Sequence, residues 1–318
     1  MTIATAKFVS VTHDLHLATD AESFCARFNR RCETTPIALV EAYIPKELIL
    51  AVVVGGSIPL QIATGASDVD LMVVTAEAPG VLQDGDLATD FTTHTLFRGA
   101  YGGAAGNLSR SNVVCALADV EIDIDFLALP QLQDLITAAK ASGASLTSDQ
   151  VRILSRFKSG WLLYGTEEAA QVIESLARDN SLELRSSVTN MRNAIKAFGH
   201  AKVAIDDDLN LARYLGRASV EWTYMAILSA LGCAYPGEKW LRVLNNELAQ
   251  TLGSSRYKAS LHNSGIDLLF PPKHESAVEV KAYLDAVAKW INEARRFIEE
   301  DPAFRFANRF CKQIYDVS

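Results

Sequence analysis

Two short motifs bring residues suited to phosphate and metal chemistry close together along the chain. Gly55-Gly56-Ser57 ends an apolar run, and Asp68-Val69-Asp70 follows after a ten-residue spacer. Glycine lets a backbone approach phosphate groups closely, and the Ser57 hydroxyl and the amides after it can donate hydrogen bonds to them. Alternate residues of a strand point the same way, so Asp68 and Asp70 can present carboxylates about 6.6 Å apart along one face.

Two carboxylates at this spacing suit a pair of magnesium ions. Mg²⁺ prefers carboxylate and phosphate oxygens to nitrogen or sulfur ligands. Two such ions, about 3.5–4 Å apart, can clamp the attacking and leaving oxygens when a nucleotidyl group is transferred. The two motifs therefore predict a site for a triphosphate and two Mg²⁺ ions, with Asp68 and Asp70 as metal ligands.

A third carboxylate is expected from a neighbouring strand, about 4.8 Å away. The segment Val120–Leu129 alternates, with apolar residues on one face and Glu121, Asp123 and Asp125 on the other. Each of these three acids is a candidate. Like charges held together without metal repel one another, so we expect at least one carboxyl of the cluster to have a raised pKa.

The elements that must position these residues follow from hydrophobic periodicity and turn signals. The predicted elements of the first half are helices over Ala21–Arg31, Pro36–Tyr43 and Ile58–Ala63, strands over Leu48–Val54, Asp68–Thr75 and Val120–Leu129, and a surface loop over Gly99–Gly106.

The second half is predicted to be almost wholly helical. Its predicted helices cover Ser148–Tyr164, a segment capped by Thr166, Ser187–Ala204, Leu209–Leu231, Glu238–Leu252 and Glu275–Glu299. Ser, Gly and Thr collect over 141–147, which indicates a boundary between domains 1–143 and 144–318. Strands and helices followed by a helical half indicate an α+β chain.

Composition narrows the function classes. The chain has 318 residues, 49% of them hydrophobic, and a net charge of −8, with residues 1–150 holding 8 Lys and Arg against 18 Asp and Glu. That balance lacks the basic footprint of a nucleic-acid binder. No apolar run is long enough to cross a bilayer, and residues 1–10 lack the basic start and apolar core expected of a signal peptide. Five scattered cysteines without a C-x-x-C pair favour reduced thiols. We therefore expect a cytoplasmic protein.

The ordered motifs resemble the signature of the DNA polymerase beta-type nucleotidyltransferase superfamily. Val54-Gly55-Gly56-Ser57 and Ser67-Asp68-Val69-Asp70-Leu71 are similar to its apolar strand, Gly-Gly-Ser turn and Asp-x-Asp. The resemblance spans about residues 48–130 and implies a small mixed β-sheet flanked by helices. It also implies that Asp123, in Ile122-Asp123-Ile124, is the third metal ligand and can accept the acceptor's proton. Asp125 is the second choice and Glu121 the third.

The helical half resembles, more loosely, the substrate domain of the antibiotic (aminoglycoside-type) nucleotidyltransferase branch. The similarity runs from Asn210-Leu211-Ala212-Arg213 to Leu231 and then through Tyr235–Trp240. It implies a helical bundle domain and a lysine, Lys239, that approaches the triphosphate. A solvated lysine at a helix start is the alternative for Lys239.

Together these features predict an enzyme that transfers a nucleoside monophosphate to a small-molecule acceptor and releases pyrophosphate. AMP from ATP is the expected group. Gly55, Gly56 and Ser57 hold the phosphates, and the cleft between the two domains is the expected acceptor site. A protein side chain or an RNA end as acceptor, and a non-catalytic nucleotide-binding regulatory module, are the alternatives. The acceptor, the base of the triphosphate and the oligomeric state are left open.

Overall fold

The computed structural model of the chain describes residues 14–77, 94–102, 109–141, 146–233, 259–270 and 276–305. Packing divides the chain into two compact units, Met1–Asp179 and Asn180–Ser318. The first unit holds a six-stranded sheet, and the described part of the second consists of helices. The α+β fold class predicted from the sequence, a mixed sheet flanked by helices and then a helical unit, is confirmed.

The sheet is mixed, with strand order β3-β4-β5-β2-β1-β6. Its strands are β1 (Ile49–Gly55), β2 (Val69–Thr75), β3 (His94–Gly102), β4 (Ser109–Leu117), β5 (Val120–Ala128) and β6 (Trp161–Gly165). β2 and β5 are parallel, and every other neighbouring pair is antiparallel. The parallel pair forms because the chain leaves β2, builds β3 and β4 as a hairpin, and returns along the other side of β2.

Five helices of the first unit flank this sheet. They are α1 (Ala21–Cys32), α2 (Pro36–Glu41), α3 (Leu129–Lys140), α4 (Ser148–Ser159) and α5 (Glu167–Ala177), with short 3-10 helices at Asp14–Leu17 and Lys46–Leu48. Side chains at the N-caps fix several starts: Asp20, Thr35 and Thr166 accept hydrogen bonds from the backbone amides of Ser23, Ala38 and Ala169. The predicted capping role of Thr166 is confirmed.

The two faces of the sheet differ in chemistry because strand residues alternate. On one face, Leu71 of β2 and Ile124 of β5 join Phe24 and Phe28 of α1 in a core without solvent exposure. The opposite face carries the acidic residues of β2 and β5. Helix α4 contacts β1, and helix α3 contacts β2 and β5.

Three predictions for elements of the first unit need correction. The predicted helix over Ser148–Tyr164 ends at Ser159, and Trp161–Gly165 is the edge strand β6 paired with β1. The change occurs at Gly160, where a Cβ would lie 2.4 Å from Val53 and 2.8 Å from the Val54 carbonyl. This close approach to β1 leaves no room for another helical turn, so the chain continues as a strand.

The predicted helix over Ile58–Ala63 is a set of turns. The Ile62 amide donates to the Ser57 carbonyl five residues back, at 3.1 Å, and Gln61 has a φ of +58°, which ends any helical course. The predicted loop over Gly99–Gly106 is also wrong in part. Residues 99–102 lie in β3 and pair with β4, a strand that the sequence did not predict, and residues 103–106 lie outside the described part of the chain.

The second unit contains α6 (Ser181–Ala204), α7 (Leu209–Ala230), α8 (Ala259–Leu269) and α9 (Ala277–Ile298). Three of the predicted helices correspond to α6, α7 and α9, with α6 beginning six residues earlier than expected. Helix α8 was not predicted, and the predicted helix over Glu238–Leu252 lies outside the described residues. None of the described helices combines the length and the apolar character needed to cross a membrane.

The unit border differs from the predicted domain boundary. The sequence placed it between residues 143 and 144, whereas the first unit extends to Asp179. Helices α4 and α5 and strand β6 follow residue 143 and contact β1. They therefore complete the sheet unit, although their sequence patterns resemble those of the helical half.

Candidate functional site

The turn after β1 is shaped by glycine. Gly55 is the last residue of β1 and lies opposite Asp70 of β2 in the antiparallel register. Gly56 has a φ of +71°, and a Cβ there would lie 1.8 Å from Oδ2 of Asp70. Only glycine combines this backbone conformation with so close an approach to a carboxylate. The turn and Asp70 therefore form one structural unit.

Ser57 follows directly and is 4% exposed. Its hydroxyl finds no hydrogen-bond partner among the described residues, whereas its carbonyl accepts the Ile62 amide. A buried hydroxyl without a partner is uncommon, because its desolvation is not offset. A ligand oxygen that reached the turn would satisfy it.

The predicted acids meet at the join of β2 and β5. The parallel register places Asp70 opposite Asp123, and Met72 opposite Asp125. Asp68 comes immediately before β2, on the same side of the strand by alternation. Asp70 and Asp125 are buried, with 5% and 2% exposure, while Asp68 and Asp123 are half-buried.

Two other predicted residues lie at an exposed position or outside the described chain. Glu121 is exposed near the start of β5. Lys239, predicted to approach the triphosphate, lies outside the described residues.

Arg156 of α4 enters the acidic cluster and was not predicted. Its Nη2 lies 2.6 Å from Oδ1 of Asp70, and its Nη1 donates to Oδ2 of Asp125 at 3.1 Å. The helix also carries the cationic residues Arg152 and Lys158, so no local pattern singles out Arg156 as the residue that faces the acids.

Asn112 of β4 is the second unpredicted partner. Its amide donates to Asp123 Oδ1 and, at 3.1 Å, to Asp125 Oδ1. Asn112 is itself buried, at 5% exposure. It therefore fixes the relative orientation of the two carboxylates of β5, and its role depends on β4 being a strand.

Burial and the repulsion between like charges raise the pKa values of two acids in the cluster. The pKa of Asp70 is raised from 3.8 to about 6: burial is the largest cause, Arg156 opposes it, and the neighbouring Asp68, Asp123 and Asp125 add to the rise. Burial and the nearby Asp125 also raise the pKa of Asp123, against the hydrogen bond from Asn112. The expected raised pKa is confirmed, with desolvation as its larger cause.

The donor chemistry of the cluster fits Mg²⁺, since it offers carboxylate oxygens beside a glycine turn with an unsatisfied buried hydroxyl. Within the described ranges, however, no three His, Cys, Asp or Glu side chains are arranged as a metal-holding group. Arg156 and Asn112 instead engage the carboxylates. Metal binding at this cluster would thus require a rearrangement of side chains.

Comparison with known proteins assigns no family to the chain. No family model matches the chain, and no curated protein matches it. A solved structure, a nucleotidyltransferase-like protein from Exiguobacterium sibiricum, is similar at 11% identity and a TM-score of 0.42, over 86% of this chain and 79% of that one. A likeness at this level assigns no activity to the present chain.

Proposed function

We propose that this chain is a nucleotidyltransferase of the DNA polymerase beta-type superfamily, with the layout of the antibiotic-modifying branch. It moves a nucleoside monophosphate, AMP from ATP in the first instance, to a small-molecule acceptor and releases pyrophosphate. The observation that carries the proposal is the contact of the Gly56 turn with Asp70. It joins a phosphate-binding type of turn to an acidic cluster on one sheet face.

Each part of the site has a proposed role. Gly55, Gly56 and Ser57 bind the phosphates, with the buried Ser57 hydroxyl donating to a phosphate oxygen. Asp68, Asp70 and Asp123 hold two Mg²⁺ ions, which would neutralise the phosphates and stabilise the attacking and leaving oxygens. Lys239 remains a proposed triphosphate contact on the resemblance alone.

The structure's contacts favour Asp123 over Asp125 as the third ligand. Asp123 lies opposite Asp70 in the parallel register and is half-buried. Asp125 is 2% exposed, and its two oxygens already accept from Asn112 and Arg156.

The test is pyrophosphate release from ATP with Mg²⁺ across a panel of small hydroxyl and amine acceptors. Asp68→Asn and Asp70→Asn keep the shape of the side chains and remove the metal-binding charge, so each should lower the rate at least about 100-fold. Asp119→Asn is the matched control, because Asp119 is an exposed turn residue with a φ of +63°, which asparagine tolerates. Full activity in both site variants would sink the proposal.

Ser57→Ala gives a second, independent readout. The hydroxyl has no hydrogen-bond partner in the part of the chain that the structure describes, so its removal should leave thermal stability unchanged or slightly higher. If it binds a phosphate oxygen, the same variant should weaken ATP binding about tenfold. A Ser57→Ala protein that binds ATP as wild type does would remove Ser57 from the donor site.

A non-catalytic nucleotide-binding module is the second candidate, favoured by the engagement of Asp70 and Asp125 with Arg156. Calorimetry with ATP and Mg²⁺ beside the turnover assay separates the two. Tight binding without turnover on any acceptor supports the module, and turnover removes it.

The partners remain part of the proposal: a triphosphate, a small acceptor, no nucleic acid and no membrane. A protein or RNA acceptor is tested by the position of label from radioactive ATP. Label on small molecules alone excludes both. The proposed cytoplasmic setting rests on the five scattered cysteines of the sequence, which favour reduced thiols.

A further inference from the structure

Arg156 stands between two buried carboxylates and contacts one with each terminal nitrogen. Nη2 lies 2.6 Å from Asp70 and Nη1 3.1 Å from Asp125. We propose that the Arg156 guanidinium is an internal competitor for the metal at Asp70 and sets the affinity of the cluster for divalent cations. This rests on the proposed function, because it takes Asp70 as a metal ligand.

The burial of the three groups makes this contact strong. The side chains of Asp70 and Asp125 are 7% and 3% exposed, and that of Arg156 is 17% exposed. Charges attract one another more strongly where water is excluded. A divalent cation that binds Asp70 through Oδ1, the oxygen that Nη2 contacts, must therefore displace Nη2, and its apparent affinity is reduced by the free energy of that contact.

Because Arg156 contacts two carboxylates, the guanidinium keeps one ion pair when a metal displaces the other. Its two nitrogens serve two carboxylates, so breaking the Asp70 contact leaves the Asp125 contact intact. Asp125 in turn accepts from Asn112 at 3.1 Å through its other oxygen. Asp125 is thereby a positioning residue that retains Arg156, and it is not needed as a metal ligand.

The backbone of Arg156 has little freedom to take part in this exchange. A Cβ on Gly55 would lie 3.1 Å from Cβ of Arg156, and a Cβ on Gly160 would lie 2.6 Å from the Arg156 carbonyl. Helix α4 is thus in close contact with the turn and with β1. The exchange consists of rotation of the Arg156 side chain alone.

The experiment measures Mn²⁺ binding to the full chain by electron paramagnetic resonance, without nucleotide. Arg156→Gln should bind Mn²⁺ about tenfold or more tightly than wild type, because the competitor is gone. Arg152→Gln is the control, since Arg152 lies on the same helix and contacts the exposed Asp149. Affinity that is unchanged or weaker in Arg156→Gln overturns the inference, and so does an absence of Mn²⁺ binding in both proteins.

A double-mutant cycle assigns the role of Asp125. Asp125→Asn alone should weaken Mn²⁺ binding, because Asp70 is then the remaining carboxylate that pairs with Arg156 and holds it more firmly. In the Arg156→Gln background the same change should have little effect, since it acts through the arginine. Equal weakening in both backgrounds would make Asp125 a metal ligand and contradict its positioning role.

Two further measurements keep the outcome clear. If Arg156→Gln does not fold without metal, Arg156→Lys replaces it in the experiment. The lysine retains the positive charge, but its single ammonium group cannot contact both acids as the two guanidinium nitrogens do. Arg156→Lys should therefore bind Mn²⁺ more tightly than wild type. Unchanged affinity in that variant overturns the inference. Failure of the proposed function shows separately, as an absence of pyrophosphate release in a protein whose Mn²⁺ affinity rises on removal of Arg156.

Discussion

At the scale of single residues, Gly56 and Asp70 constrain each other. The positive φ of Gly56 turns the chain so that its α-carbon approaches the Asp70 carboxylate, where a Cβ would lie 1.8 Å from Oδ2. The contact restricts the space open to the Asp70 carboxylate, whose Oδ1 also lies 2.6 Å from Nη2 of Arg156. A side chain at position 56 would therefore displace the Asp70 carboxylate, so a substitution of Gly56 tests whether this close approach positions the acid.

We expect Gly56→Ala to lower the free energy of unfolding by at least about 2 kcal/mol, since an alanine at positive φ costs roughly 1–2 kcal/mol and the clash adds to it. Nucleotide binding should fall with it. Gly199→Ala is the control: Gly199 lies inside α6, and a Cβ there meets nothing within 4 Å. It should raise stability by about 0.5–1 kcal/mol. Urea unfolding measures both, and equal effects would contradict the clash.

The buried Asp70 should give the protein a characteristic pH dependence in metal-free buffer. Its folded pKa of about 6 exceeds 3.8, so between these values the folded state binds more protons than the unfolded state. Stability should therefore fall as pH rises from about 4 to 6, by on the order of 3 kcal/mol, and stay lower above pH 6.

Asp70→Asn removes this dependence, so its stability relative to wild type should increase over the same pH range. Thermal unfolding at pH 4, 5, 6 and 7 in EDTA measures the difference. A difference between the two proteins that does not change with pH would show that Asp70 keeps its ordinary pKa.

At the scale of elements, local patterns predicted the parts of the site that lie on short-range structure. The apolar run before Gly55 and the alternation around Asp123 are local, so β1, β2 and β5 were predicted nearly to the residue. Asn112 and Arg156 depend on long-range pairing. Asn112 reaches the acids because β4 pairs with β5, and Arg156 because α4 packs on β1. The periodicity of a short segment reveals neither the pairing of β4 with β5 nor the packing of α4 on β1.

The join of α4 to β6 shows the same limit. Trp161-Leu162-Leu163-Tyr164 continues the apolar pattern of the preceding helix, so periodicity alone extends α4 too far. Its strand conformation comes from pairing with β1. Gly160 is the residue that permits this approach, and it indirectly sets the position of Arg156.

Gly160→Ala should therefore act on stability and on the acidic cluster together. A Cβ at 2.4 Å from Val53 and 2.6 Å from the Arg156 carbonyl pushes α4 from β1, at a cost of about 1–3 kcal/mol. Gly165→Ala, at the other end of β6, is the control, because its Cβ meets nothing closer than 3.4 Å. It should change stability by less than about 0.5 kcal/mol. Chemical denaturation compares the two, and similar losses would contradict the packing argument.

At the scale of the whole molecule, the acidic excess coincides with the sheet unit. Residues 1–150 hold 8 Lys and Arg against 18 Asp and Glu, and they contain β1 to β5 with all the predicted acids. Four of those acids, Asp68, Asp70, Asp123 and Asp125, lie at the site that would receive a polyanionic triphosphate. Divalent cations, Arg156 and any basic residue that approaches the site are the means to offset it.

The border of the sheet unit can be tested with fragments. A fragment ending at Asp179 keeps α4, β6 and α5, so we expect it to unfold in one cooperative transition. A fragment ending at residue 143 loses these elements. It exposes the edge of β1 that β6 covers, and it leaves the buried Asp70 without Arg156. Both changes disfavour folding, because an open apolar strand edge promotes association and an unpaired buried charge is costly.

Thermal unfolding followed by circular dichroism, with sedimentation to detect aggregates, compares the two fragments. We expect the longer one to be monodisperse and cooperative and the shorter one to aggregate or unfold without a clear transition. Adding Mn²⁺ separates the two causes. Metal that restores a transition to the shorter fragment would point to the uncompensated acids, and metal without effect would point to the open edge of β1. If the shorter fragment unfolds as cooperatively as the longer one, residues 144–179 are not needed by the sheet unit, and the predicted boundary at residue 143 is the better one.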